Sequence, residues 1–243
     1  MAWCWARAKW KCRTSVDKID GLILAGGVQL ALLPKKNRGE MVTVDLRQHI
    51  GDEQNLFGKG AVYGLTAAML TRGTSKYTRE QLADAFQRLK ISGGLTHFDT
   101  TRANLPEALT LVAHVLSEAN FPAAEFEQLR QQSLVGLESS RNEPEAVAQR
   151  ALGTHFNIYP RGDIREETTL AQDIADIQAV KLADLQAFHK AYYGTSPAQL
   201  AIVGDFDAQA IVPLVDSLFG HWKAEQNVAP VLSRYADVAP LKR

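Results

Sequence analysis

The chain has 243 residues with 27 Lys+Arg and 27 Asp+Glu, so its formal net charge is zero. This balance argues against a nucleic-acid partner, and no run reaches the ~20 apolar residues of a transmembrane helix. The two cysteines, Cys4 and Cys12, are too few for a disulfide framework and leave the rest of the chain without a thiolate zinc site.

The first 20 residues differ from the rest of the chain, because they hold three of the four tryptophans among several bases. They lack the apolar segment of a signal peptide. We expect a disordered leader or a segment added for expression, and a membrane-surface segment is the alternative. A single α/β domain is predicted over residues 21–223, and residues 224–243, with Pro230 and Pro240, are predicted to be a C-terminal arm or linker.

Four stretches have the composition of strands: 27–33, 41–50, 95–102 and 199–204. The first two show apolar alternation and are separated by PKKNRGE, which predicts a hairpin with a solvated basic turn. The last, QLAIVG, is a continuous apolar run and predicts a strand buried on both faces.

Helical patterns fill most of the remaining sequence, with predicted bounds 60–72, 78–89, 104–119, 123–141, 142–155, 170–177, 181–193 and 208–221. Thr78 with Gln81, and Asn104 with Glu107, have the spacing of capping boxes. Strands and helices are grouped rather than alternating, which predicts an α+β fold. We expect a mostly antiparallel sheet with helices packed on one face.

Motifs of known chemistry are scarce. No two of the six histidines stand at i,i+4, and no Gly-rich phosphate loop or GxSxG is present. His97 is the best candidate for a base, because Asp99 lies two residues on and shares its strand face. No nucleophile is evident nearby. An RGD tripeptide at 161–163 follows Tyr-Pro, and we interpret it as part of a loop.

Four phrases in order resemble the insulinase/pitrilysin-like zinc peptidases, the inverzincins: GVQLALLPKKNRG, MLTRGT, FPAAEFEQLRQQSLVGLESSRNEPEAVAQRAL and ADLQAFHKAYYGTSPAQLAIVGDFD. The resemblance runs from about Gly27 to Lys223. It implies a half like those of the mitochondrial processing peptidase. It also implies two strands between the second and third helices, and here residues 91–102 leave room for one full strand and a short entry.

In active members the first helix carries H-x-x-E-H, then Met-x-x-x-Gly-Thr. Two histidines one turn apart bind zinc, and the glutamate activates its water. In active members a glutamate from a later helix completes the metal site. The resemblance puts Gly64 and Ala68 at the histidine positions, Ala67 at the base position and Glu138 near this distal glutamate. It therefore implies no catalytic and no metal-binding residue in this chain.

The resemblance implies a non-catalytic domain or subunit that pairs with a zinc-bearing half to enclose peptide or unfolded protein substrates. That half would belong to the same longer protein or to a separate subunit, and a homo-oligomer is a further expectation. The expected compartment is the bacterial periplasm or cytoplasm. Two alternatives stay open: an assembly subunit like the respiratory-complex core subunits, and a hydrolase with an unrecognised site near His97.

Overall fold

The computed structural model describes residues 20–24, 27–194 and 198–239. The leader expected over 1–20, with Cys4 and Cys12, therefore lies outside the described residues except at Asp20. The described residues divide into two compact units. The first takes its residues from Met1–Ile50, Thr71–Asn120 and Tyr192–Glu225, and the second from Gly51–Leu70, Phe121–Ala191 and Gln226–Arg243. The single-domain boundaries 21–223 stay a prediction.

All the described strands lie in the first unit: β1 (Asp20–Ile23), β2 (Gln29–Pro34), β3 (Met41–Gln48), β4 (Ser92–Gly93), β5 (His97–Thr101) and β6 (Ala198–Gly204). They form one sheet in the order β1-β2-β6-β3-β5-β4. Only the β2–β6 pair is parallel, and the other described pairs are antiparallel. The α+β class with a mostly antiparallel sheet is thus confirmed.

The hairpin predicted between β2 and β3 is wrong. β6 lies between them, parallel to β2 and antiparallel to β3. The connection at 35–40 therefore spans a neighbouring strand instead of joining hydrogen-bonded partners. The sequence hid this because β6 comes from more than 150 residues further along the chain.

One face of the sheet forms the core of the first unit. On this face, buried side chains of paired residues on neighbouring strands lie side by side. One such row consists of Leu32, Ile202, Val44 and Phe98. The opposite face is partly open, and Val203 on β6 is 40% exposed. The prediction that this strand is buried on both faces is therefore wrong, because an apolar run does not show how many faces are covered.

Three helices complete the first unit: α2 (Arg79–Arg88), α3 (Leu105–Ser117) and α8 (Ala208–Phe219). Helix α3 supplies most of the buried helical surface and contacts both α8 and β5. The capping box at the start of α2 is confirmed, since Thr78 and Gln81 exchange both hydrogen bonds. The second box is wrong: Asn104 donates its side-chain amide to the carbonyl of Leu89 at 3.0 Å instead of capping α3.

The second unit is helical and contains α1 (Gly60–Met69), α4 (Ala123–Ser139), α5 (Pro144–Phe156), α6 (Leu170–Ala179) and α7 (Leu182–Tyr192) up to Ala191. Helices α1, α4 and α6 contact one another. Phe126 and Leu129 bury the inner stripe of α4. A 3-10 turn, Leu70–Arg72, follows α1, so the helix predicted over 60–72 has the correct extent but a tighter last turn.

Candidate functional site

The three positions that the resemblance assigns to the zinc ligands and the base lie on one solvent-exposed side of α1. Gly64, Ala67 and Ala68 are all exposed, and their i, i+3, i+4 spacing places them on the same face. A Cβ atom added at Gly64 would meet no atom within 4 Å. The opposite side of the helix is anchored by buried Leu65, Thr66 and Met69. The helix thus has room for larger side chains where it carries small ones.

Glu138, which the resemblance places near the distal metal-ligand position, lies in the last turn of α4. Its two carboxylate oxygens accept hydrogen bonds from the Arg141 guanidinium at 2.8 and 2.9 Å. These bonds hold the pKa of the Glu138 carboxyl below its usual range. Its side chain is 53% exposed, so the pair is a surface ion pair.

These residues do not fit a zinc ion. Zinc in proteins needs three or four nitrogen, sulfur or oxygen ligands around one point, and the α1 face offers only hydrogen and methyl groups. Glu138 alone, already bonded to Arg141, cannot replace a pair of imidazoles. Among the described residues, no group of three or more His, Cys, Asp and Glu side chains is arranged to hold a metal.

Gly73 and Thr74, which follow α1 and its 3-10 turn, form a tight turn in the first unit. Gly73 has a φ of 150°, and the Thr74 N–H donates to the carbonyl of Tyr77 at 2.9 Å. The buried Thr74 hydroxyl accepts from the backbone N–H groups of Lys76 and Tyr77. The Thr74 hydroxyl therefore donates its proton to Nε2 of His114, 3.0 Å away. This hydrogen bond requires that Nε2 carries no proton.

His97 and Asp99 share a face of β5, as predicted, but bind different partners. The Nδ1 atom of His97 lies 3.3 Å from a carboxylate oxygen of Asp45, directly opposite on β3. Asp99 instead accepts the hydroxyl proton of Thr43 at 2.5 Å. His97 is 65% exposed, and none of its described contacts involves a serine or cysteine. The pair therefore gives no support to an active site at His97.

The RGD tripeptide is not presented as a free loop. The Arg161 guanidinium donates to Asp176 at 2.5 Å, while Asp163 is buried and accepts from Arg165. Gly162 lies so close to Phe57 that an added Cβ would come within 2.8 Å of its ring. Both charged groups of the motif therefore form ion pairs with residues of the second unit.

The sheet edge formed by β4, which lies between α2 and α3 in the sequence, is very short. β4 has only two residues, Ser92–Gly93, paired with β5, which agrees with the shortened strand expected from 91–102. Gly93 has a φ of 111°, and an added Cβ would lie 2.5 Å from the carbonyl oxygen of His97. The edge therefore offers few main-chain groups to an added strand.

One charged cluster was not predicted from the sequence. Arg165, with its side chain only 11% exposed, contacts both Asp163 and Glu53, and Arg234 also reaches Glu53. Hydrogen bonds to Asp163 and Glu53 raise the pKa of Arg165, and the hydrogen bond from Arg165 lowers the pKa of the Asp163 carboxyl. The only local signal was the Asp163–Arg165 spacing, because Glu53 and Arg234 are far away in the sequence.

Comparisons with known proteins agree with the fold. Residues 179–242 match a family profile described as peptidase M16 inactive domain. The zinc protease PqqE of Helicobacter pylori is 27% identical over 224 residues, covering 85% of this chain and 48% of that protein. The chain thus spans about half the length of this curated relative.

Solved structures show the same fold. A peptidase M16 inactive domain from Pseudomonas fluorescens superposes with a TM-score of 0.69 and 21% identity, over 91% of this chain and 54% of that one. A Helicobacter pylori protease gives 0.68 and 23%, over 91% and 54%. The periplasmic protease PqqL of Escherichia coli gives 0.67 and 14%, over 96% and 26%.

Among the described residues, no helix has the length and apolar character needed to cross a membrane. Residues 179–242 thus match the inactive domain of the M16 peptidases, and the chain as a whole is similar in sequence to a zinc protease and has the fold of M16 proteins. Its first helix lacks H-x-x-E-H.

Proposed function

We propose that the chain serves as the non-catalytic half of an M16-type zinc endopeptidase and encloses peptide substrates together with a zinc-bearing half. The observation that carries this proposal is the exposed face of α1, where Gly64, Ala67 and Ala68 stand at the positions expected for two histidines and a glutamate. A helix that keeps its packing but lacks every ligand can support the fold without performing the reaction.

The length of the relatives supports a second half. The chain covers 48% of the curated relative and 54% of two solved structures, so each of those proteins has room for another unit of similar size. The zinc-bearing half would be part of the same polypeptide or a separate subunit. In either case zinc would be bound by that half and not by this chain.

The peptide would be bound largely by the partner. β4 provides two residues of edge, Ser92–Gly93, which is enough for a brief extension of the sheet and no more. The open sheet face carries polar side chains such as Thr43, Asp45 and Asp99, which could contact an enclosed peptide.

The test is reconstitution with an H-x-x-E-H polypeptide encoded beside this one. Each is purified alone, and cleavage of an internally quenched peptide is measured for each and for the mixture. We expect no turnover by this chain alone and a chelator-sensitive activity in the mixture that exceeds that of the zinc-bearing chain by about tenfold or more. Stable association without any gain in turnover would instead favour an assembly role.

A second arm of the same assay addresses His97. Turnover by this chain alone that resists chelators and disappears in His97→Ala would contradict the proposal and establish an active site on β5. The matched control is His221→Ala, an exposed histidine outside the sheet.

A further inference from the structure

The C-terminal arm, residues 226–239, has no helix or strand and yet is fixed along the second unit. Its main chain is hydrogen-bonded to the second unit near both ends. At the start, the carbonyl of Asn227 accepts from the Asn55 side chain at 2.9 Å, and the Ala229 N–H donates to the carbonyl of Gly51 at 3.0 Å. At the end, the carbonyl of Ala239 lies 2.9 Å from Nε2 of His155. Outward side chains contribute little, since Leu232 is 72% and Tyr235 is 92% exposed.

The middle of the arm is held by Arg165. Asp163 fixes this guanidinium through two hydrogen bonds, at 2.8 and 2.7 Å. The guanidinium also lies 4.4 Å from the ring centre of Tyr159, which restricts its plane. Its remaining nitrogen, Nη1, donates to the carbonyl oxygen of Leu232 at 2.5 Å. A pre-oriented donor of this kind binds a main-chain carbonyl without selecting the side chain.

Two residues further along, Arg234 supplies the side-chain contact. Its guanidinium donates to Glu53 at 2.5 Å, and its backbone N–H donates to the Tyr159 hydroxyl at 2.8 Å. Glu53 also pairs with Arg165 at 2.8 Å, so the carboxylate lies between two guanidinium groups. The second unit thus contacts a carbonyl at one position and both the N–H and the charge of an arginine two positions later.

We propose that Glu53, Tyr159 and Arg165 form a recognition site for an extended, arginine-containing peptide segment, and that the arm occupies this site in cis. The ligand class is an extended peptide with an arginine. The residue two positions before this arginine offers its main-chain carbonyl as the hydrogen-bond acceptor for Arg165. Because the arm buries few apolar side chains, another segment with these groups competes with it once the cis contacts are weakened.

The test uses the full chain carrying Arg234→Glu, which places a negative charge beside Glu53 and disfavours arm docking. Binding of a fluorescent peptide with the sequence of residues 226–239 is measured by anisotropy. We expect saturable binding about tenfold tighter than to the unsubstituted chain, where the arm competes in cis. Arg38→Glu is the matched control, because Arg38 is exposed in the first unit and its substitution makes the same charge change.

Two further substitutions identify the contacts. A peptide with alanine at the position of Arg234 should bind the Arg234→Glu chain about tenfold more weakly, and adding Glu53→Gln to the chain should have a similar effect. Equal affinity for the alanine peptide, or no saturable binding, would overturn the proposal.

Hydrogen exchange of the unsubstituted chain provides a measurement that needs no variant. Excess peptide should accelerate exchange of the backbone N–H groups of Ala229 and Arg234, because the arm leaves its site. Unchanged exchange at a peptide concentration that saturates the Arg234→Glu chain would also overturn the proposal.

Discussion

At the scale of single residues, the hydrogen bond between His114 and Thr74 links a titratable group to a buried turn. Burial is the main cause that lowers the pKa of His114, and the Lys76 cation adds to it, while Glu118 acts in the opposite direction. The Thr74 hydroxyl already accepts two backbone N–H groups and donates to the imidazole, so a protonated imidazole would disturb an occupied acceptor.

The sign of the pH effect follows from the lowered pKa. As the pH falls, the unfolded chain binds a proton at this histidine before the folded chain does, so acidification below about pH 6.5 reduces the free energy of unfolding. The contribution is at most about 1.4 kcal/mol per pH unit for one proton. We expect His114→Gln to lose less stability between about pH 7.5 and pH 5.5 than the parent chain does.

Urea denaturation at the two pH values measures this difference. His221→Gln is the control for the loss of one imidazole, because His221 is exposed. An identical pH dependence in His114→Gln and the parent would show that His114 does not couple to folding.

At the scale of elements, α1 combines a buried anchor with an exposed face of small side chains. Gly64→His with Ala68→His places two imidazoles one turn apart on that face, where nothing obstructs the first position. We expect this variant to bind zinc at least about tenfold more tightly than the parent chain. Competition with a chromophoric chelator measures the affinity.

The control for the zinc-binding variant is Ala67→His with Ala68→His. Adjacent helical positions point about 100° apart, so these two imidazoles cannot share one ion as easily. Equal zinc affinity in the two variants would contradict the assignment of Gly64 and Ala68 to one face.

Helix α3 provides the main helical contribution to the core of the first unit. Leu109 is fully buried, so Leu109→Ala should reduce the free energy of unfolding by about 2–5 kcal/mol. Thr110→Ala, at an exposed neighbouring position, should change it by less than about 0.5 kcal/mol. Chemical denaturation monitored by circular dichroism measures both, and a Leu109→Ala effect as small as that of the control would contradict this core.

The sequence predicted most helices and the strand locations because their signals are local. The Thr78 capping box and the apolar alternation of β3 each extend over a few residues. Pairing partners were not predictable in this way: β6 separates β2 from β3, and Asn104 bonds to Leu89 instead of capping α3. These outcomes depend on segments that meet only in the folded chain.

At the scale of the whole molecule, the same distinction applies to the candidate site. The absence of ligands at Gly64, Ala67 and Ala68 could be inferred from sequence because the family motif is contiguous. The cluster around Arg165 could not be inferred, because Glu53, Arg165 and Arg234 come from three separate segments and only folding brings them together.

The central claim is that this chain has the M16 fold without a zinc site of its own. The most direct test is the zinc content of the untagged chain carrying Cys4→Ser and Cys12→Ser, measured by mass spectrometry after equilibration with zinc and gel filtration. We expect zinc at background, because α1 presents no ligand and Glu138 is paired with Arg141. About one zinc per chain would contradict it.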